Sequence, residues 1–112
     1  MKDKVNVLWS SGDKDVAKKL VFMYTLNSKI HGWWEEVTLI VWGPSANLLA
    51  NDEQLAFDIK KMIEKGIKVV ACKACSDSYN VSDKLEEMGI EVKYMGKDLT
   101  SILKNDEKLI TF

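Results

Sequence analysis

The sequence predicts an α/β domain, a three-layer α/β/α arrangement around a parallel five-stranded sheet. Three observations predict it. Short β-branched runs alternate with stretches of helical period along the whole chain. Each run is followed by a helical return, and parallel neighbours need a crossover of about a dozen residues or more. The run "VTLIVWG" is apolar without alternation, as a strand covered on both faces is. With 112 residues the chain suits one domain, 1–112, around one core.

The elements follow in order. "KVNVLW" (4–9) is the first strand and stops at "SSGD", a turn that carries its own helix cap. From Asp15 to Ile30, Val16, Leu20, Met23, Tyr24 and Asn27 mark one helical face, with Ala17 and Val21 widening it. "VTLIVWG" (37–43) is the second strand. "NDEQLAFDIKKMIEKG" (51–66) predicts a helix capped by Asn51, with Gln54 reaching back as in a capping box. Leu55, Ile59, Met62 and Ile63 form its inward stripe, and Gly66 is placed for a left-handed C-terminal cap. "IKVVAC" (67–72) is the third strand, followed by a short helical stretch. "SDKLEEMG" (82–89) repeats the cap-to-glycine pattern with Leu85 and Met88 inward. "EVKYM" (91–95), "DLTSILKN" (98–105) and "KLITF" (108–112) supply a strand, a short helix and a last strand.

Composition excludes several partners. The chain is 46% hydrophobic and 29% charged, ordinary for a globular protein. Sixteen basic residues against 17 acidic give a net charge of -1, so no broad field draws in nucleic acid or an anionic membrane. All sixteen are lysine, which removes the bidentate arginine clamp for phosphate and carboxylate ligands. The N-terminal stretch lacks an apolar core of signal-peptide length, and no run approaches the ~18 apolar residues of a membrane span. The expected setting is the cytoplasm, where thiols stay reduced and a paired cysteine motif points to chemistry.

That motif is "VVACKACSDSY" (69–79), which holds the only two cysteines, Cys72 and Cys75. In open parallel sheets, ligands gather beyond the carboxyl ends of the strands. Cys72 falls at that end of strand three, on the turn into a helix, where free amide donors and the helix dipole favour a thiolate. Lys73 adds a cation. At a pKa near 8.5 roughly 3% of a thiol is ionised at pH 7, and a fall to ~7 makes it half ionised. Two other loops converge on the same edge: Trp9-Ser10-Ser11-Gly12 after strand one, and Trp42-Gly43-Pro44-Ser45 after strand two. Trp9, Ser10, Ser11, Gly12, Trp42, Gly43 and Ser45 are therefore candidates to line a substrate pocket around the sulfur.

Other readings stand beside this one. Free cysteine is among the most buried residue types, so either thiol can be packing alone. A thioredoxin-like thiol–disulfide protein also uses C-x-x-C, but it expects a long helix at the first cysteine, and Asn80-Val81 interrupts this one early. A structural zinc needs four ligands, and His31 is the only other soft one, so no metal site is expected within one chain. "SSGDKD" lacks phosphate-loop spacing and reads as a helix cap, and His31 beside Gly32 reads as a helix end. Asp77 reads as a solvated carboxylate. In "HGWWEE" (31–36) one tryptophan is expected to pack inward and the other to cover a subunit contact.

The stretch "GIKVVACKACSDSYNVSDKLEEMGIEVKYMG" resembles the DsrE/DsrF-like family of small α/β proteins, to which TusD-type sulfur-relay subunits also belong. The matching features are "AC" closing strand three, Asn80-Val81 where the family usually has Gly-Ile, an acidic helix, and a "G-[IV]-E-V" strand entry. The element order agrees over the whole chain. The resemblance implies a Rossmann-like fold, a homo-oligomer (trimer or hexamer), and a persulfide carried on Cys72, with sulfur donor and acceptor proteins as partners and no cofactor. Cys75 departs from the general pattern and supplies a second thiol able to attack that persulfide. Asn80 replaces glycine at a position where asparagine also tolerates positive φ. A non-catalytic oligomeric module, binding a small molecule or protein tail at the tryptophan-lined edge, is the alternative.

Overall fold

The computed structural model describes residues 3–112. Five strands, β1 (Lys4–Trp9), β2 (Glu36–Val41), β3 (Lys68–Cys72), β4 (Glu91–Lys93) and β5 (Lys108–Thr111), form one sheet in the order β4-β3-β2-β1-β5. Every pairing is parallel, so the expected parallel five-stranded α/β fold is what forms. The register is continuous across the centre: Val7 lies beside Leu39 and Ile110, and Leu39 beside Val69.

The three crossovers from β1 to β4 all step the same way, and right-handed connections then place their helices on one face. These are α1 (Lys14–Val16), a π-helical stretch (Ala17–Phe22), α2 (Met23–Ile30), α3 (Pro44–Ala50), α4 (Glu53–Glu64), α5 (Lys73–Ser78) and α6 (Ser82–Glu87). Val5, Val7, Trp9, Leu39, Val41, Val69 and Ala71 meet Val21, Leu49, Leu55, Ile59 and Leu85 there in the larger core. The return from β4 to β5 spans the sheet on its other side and carries α7 (Gly96–Lys104) alone. Ile102 of α7 packs on Ile40, Val70, Cys72 and Met95 in a smaller second core. Alternation along β3 sends Val69 and Ala71 to the first core, Val70 and Cys72 to the second.

Local chemistry departs from expectation in three places. Residues 44–50, read as loop, form α3, because Pro44 at a first helical position loses no hydrogen bond and arrives with a helical φ. The cap of α4 is Asp52 and not Asn51: Asp52 Oδ1 accepts from the Leu55 amide at 3.0 Å. Asn51 closes α3, its side-chain amide donating to the Asn47 carbonyl at 2.9 Å, which leaves Gln54 without the capping-box role. In the first helix the buried residues are Ala17, Val21, Phe22, Thr25 and Ser28, while Leu20 and Met23 are 44% and 53% exposed. The wider π-helical turn breaks the 3.6-residue period on which the expected stripe relied.

Other signals hold. Asp13 caps α1 through the Val16 amide at 3.0 Å. Gly66 (φ +93) makes the left-handed stop after α4, and Asn80 (φ 57) breaks the chain between α5 and α6. Trp34 packs on the core with its Nε1 donating to the Tyr24 hydroxyl at 3.0 Å, whereas Trp33 stands exposed and stacks on His31. Among the described residues no helix is long and apolar enough to cross a membrane.

Asp52 also binds Lys14 at 2.9 Å, tying the start of α1 to the start of α4. The Lys14 ammonium first, then the Leu55 amide, hold its carboxyl below the usual 3.8. Asp52→Ala is expected to cost about 1 kcal/mol at pH 7, the usual loss for a cap. A depressed folded pKa means that this stability is present above 3.8 and disappears as pH falls through the folded value. Urea unfolding of parent and variant at neutral and acid pH checks both the size and the sign.

Candidate functional site

β3 ends at Cys72 because the next residues turn into α5, and Cys72 is itself the N-cap of that helix (φ -69, ψ 114). Its side chain continues the Val70 side of the strand and enters the second core, where it is 5% exposed. Ile40, Val70, Met95 and Ile102 are the buried members of that cluster, and Leu8, Trp42, Cys75 and Leu109 are its half-buried border. Cys75 is the third residue of α5. N-cap and third-residue side chains come back toward each other at a helix start. The two thiols accordingly lie near enough for Cys72 to influence the ionisation of Cys75.

Gly43 completes the group. It ends the β2 loop with φ 70 and ψ -137, a conformation open to glycine, and its amide N–H points at the Cys75 sulfur. Burial is the main cause that pushes the Cys75 thiol up, with the hydrogen bond to Cys72 and the Cys72 charge adding to it; the Gly43 amide opposes them. Cys75 therefore stays protonated at neutral pH and can donate its S–H to the Cys72 sulfur.

Lys73 faces elsewhere. Its ammonium binds Asp77 one turn on at 3.1 Å and lies 5.8 Å over the Tyr94 ring. The Asp77 hydrogen bond, then its charge, raises the Lys73 pKa. Asp77 accepts from the Ser82 hydroxyl at 2.5 Å as well as from Lys73, and these two partners lower its pKa. Asp77 thus links α5 to α6 as an exposed carboxylate.

The loops expected around the sulfur divide. Trp42 and Gly43 adjoin the thiols. Trp9 is fully buried in the first core, edge-on to Phe22 at 5.0 Å, on the opposite side of the sheet from Cys72. Ser10 gives its amide (2.7 Å) and hydroxyl (3.0 Å) to the Phe112 carbonyl, which also receives the Ser11 amide at 3.3 Å. Ser45 is fully buried, its hydroxyl donating to the Trp9 carbonyl at 2.6 Å and accepting from the Trp42 amide at 3.2 Å. Gly12 lies against Pro44, lining a separate cleft with Tyr79. Ser10 and Ser45 thus brace the loops with their hydroxyls engaged there, and the Ser11 hydroxyl accepts from the Asp13 amide at 3.1 Å.

Residues outside the expected set supply the rest of this apolar cluster: Ile40, Val70 and Met95 with Cys72, and Leu8 and Leu109 farther off on β1 and β5. The period-two alternation of "VVAC" was the signal for the face Cys72 takes. A groove of about 200 Å³ runs along the same face toward the amino ends of the strands, sharing Ile40, Val70, Met95 and Ile102 as its inner wall. Lys4 paired with Glu107 (3.4 Å) and Lys93 paired with Asp98 (2.9 Å) edge it.

The model of the DsrE/DsrF-like family matches residues 4–112. A conserved protein of unknown function from Bacteroides thetaiotaomicron, BT1422, is 41% identical, with a TM-score of 0.96 over 98% of this chain and 95% of its own. MTH1491 of Methanobacterium thermoautotrophicum, also of unknown function, superposes at 0.79 with 16% identity over 97% and 98%. The ychN protein of E. coli superposes at 0.70 with 14% identity over the full length of both chains. These last two share the fold. Among curated proteins no match is found.

Removing Cys72 takes away two of the causes that raise Cys75 and leaves burial in place. In Cys72→Ala the pH midpoint for iodoacetamide alkylation of Cys75 is expected to fall relative to the parent while staying above that of the unfolded chain. Site-resolved alkylation rates across pH 6–11 measure it; an unchanged midpoint would contradict the thiol–thiol contact.

Proposed function

The chain belongs to the DsrE/DsrF-like family, a family of sulfur-relay type, and from that premise we propose that Cys72 carries sulfane sulfur as a persulfide between a donor and an acceptor protein. In loading, the Cys72 thiolate attacks the outer sulfur of a donor persulfide and the donor thiolate leaves. In delivery, an acceptor thiolate attacks the outer sulfur on Cys72 and the Cys72 thiolate leaves. No electrons are gained or lost overall. The S–H of Cys75, oriented by the Gly43 amide, supports the departing Cys72 thiolate, and a charge-assisted bond of this kind is stronger than a neutral one. The apolar walls of Ile40, Val70 and Met95 keep bulk water away from the sulfur.

The placement of Cys72 at the carboxyl end of a central strand, with Cys75 in the same apolar cluster one helical turn on, carries this reading. Lys73, bound to Asp77, plays the lesser part of a nearby positive charge. The reading extends to a homo-oligomer, trimer or hexamer, in a reducing cytoplasm. The half-buried Leu8, Trp42 and Leu109 are the face where copies would meet.

A second reading has its own support. Cys72 is only 5% exposed, and Tyr94 beside Lys73 is 67% exposed, as in a module that binds at this edge and turns nothing over.

Intact mass after incubation with glutathione persulfide separates the two. The relay reading expects one added sulfur in Cys75→Ser and none in Cys72→Ser. A parent and variants that never gain sulfur would leave the binding module standing.

A further inference from the structure

The thiol pair has a chemistry that relay does not use. Resting on the persulfide reading above, we infer that Cys75 is a second reactive thiol that discharges the Cys72 persulfide as hydrosulfide, making the chain a sulfane-sulfur reductase that an external dithiol resets.

The placement meets the requirements of that step. Cys72 and Cys75 are the N-cap and the third residue of one helix and belong to one apolar cluster, so the attack is intramolecular. Cys75 is half-buried and stands at the border of the cluster that encloses Cys72. The Gly43 N–H is directed at the Cys75 sulfur, where negative charge appears when the thiol ionises. α5 ends at Ser78, and Asn80 turns the backbone away, so the pair sits on a six-residue helix that α6 and Asp77 hold in place.

The step balances. The Cys75 thiolate attacks the inner sulfur of Cys72–S–SH, forming the Cys72–Cys75 bond. The bond between inner and outer sulfur breaks, and the outer sulfur leaves with the electron pair as HS⁻. The sulfane sulfur is reduced by two electrons and the two cysteine sulfurs are oxidised by one each. A dithiol reductant of the reducing compartment then returns two electrons and two protons to restore both thiols. The protonation state of Cys75 selects between the two fates. As a thiol it supports the persulfide; as a thiolate it destroys it. Because Cys75 is held up by burial, the persulfide persists at neutral pH and is discharged faster as pH rises.

The test uses glutathione persulfide as donor with the parent, Cys75→Ser and Cys75→Ala, each first shown to be folded by circular dichroism. After removal of excess donor, sulfide release and intact mass are followed together from pH 6.5 to 9. The parent is expected to release about one sulfide per loaded chain and end two hydrogens lighter than its reduced form. Its rate should rise about tenfold per pH unit below the Cys75 pKa. Both variants should keep the added sulfur until an external thiol is supplied. Equal retention by parent and variants, without sulfide, overturns the discharge step and leaves the relay intact. Absence of added sulfur on all three overturns both.

Discussion

The return from β4 to β5 governs this molecule. Three crossovers in one direction load one face of the sheet with every helix but one, and the single long return must serve the other face with the nine residues of α7. The first face becomes the main core. The second is covered over Ile40, Val70 and Ile102 but left thin at its borders, with Trp42 half-buried at the carboxyl end beside Cys72 and Leu8 and Leu109 half-buried toward β5. A thiol placed on that side of β3 therefore lies in an apolar enclosure one layer deep. The same residue shifted by one position would sit with Ala71, sealed under the helices of the larger core.

Reactivity and protection meet in that thin layer. In the proposed relay, a persulfide exposed to water and stray thiols would not survive to reach an acceptor, and one sealed in a core would never receive its sulfur. Here an exposed ion pair, Lys73–Asp77, flanks the helix start, the apolar side chains enclose the sulfur, and one amide and one thiol supply the polar contacts. That set is small because hydrogen bonds in a dry site are worth more than in water, so few are needed to decide where a negative charge settles.

Much of the architecture was legible because strands and helices alternate with unambiguous periods. The apolar "VTLIVWG" run and the carboxyl-end placement of Cys72 needed only local pattern. What escaped were choices between neighbours of similar chemistry. Asn51 and Asp52 are both capable caps, and the lysine across the gap favours the charged one. Ala17, Val21, Phe22, Thr25 and Ser28 take the buried face while Leu20 and Met23 stand exposed, because the π-helical turn shifts the period. Pro44 read as a loop residue although proline also begins helices. At the site, Ser10, Ser11 and Ser45 looked like ligand donors since hydroxyls near a strand end are available until the tertiary structure claims them. The partners that claim the Ser10 and Ser45 hydroxyls, the Phe112 and Trp9 carbonyls, lie far off in sequence. Gly43 reaches Cys75 across an intervening strand and two helices, a neighbourhood no spacing rule describes.

The enclosure around Cys72 has a mechanical corollary. Interiors are packed as densely as organic crystals, so an extra sulfur atom on this side chain has no vacancy waiting for it. A group added to this thiol would have to displace a neighbour, and the half-buried Trp42 at the border is freer to yield than the buried Ile40 or Val70.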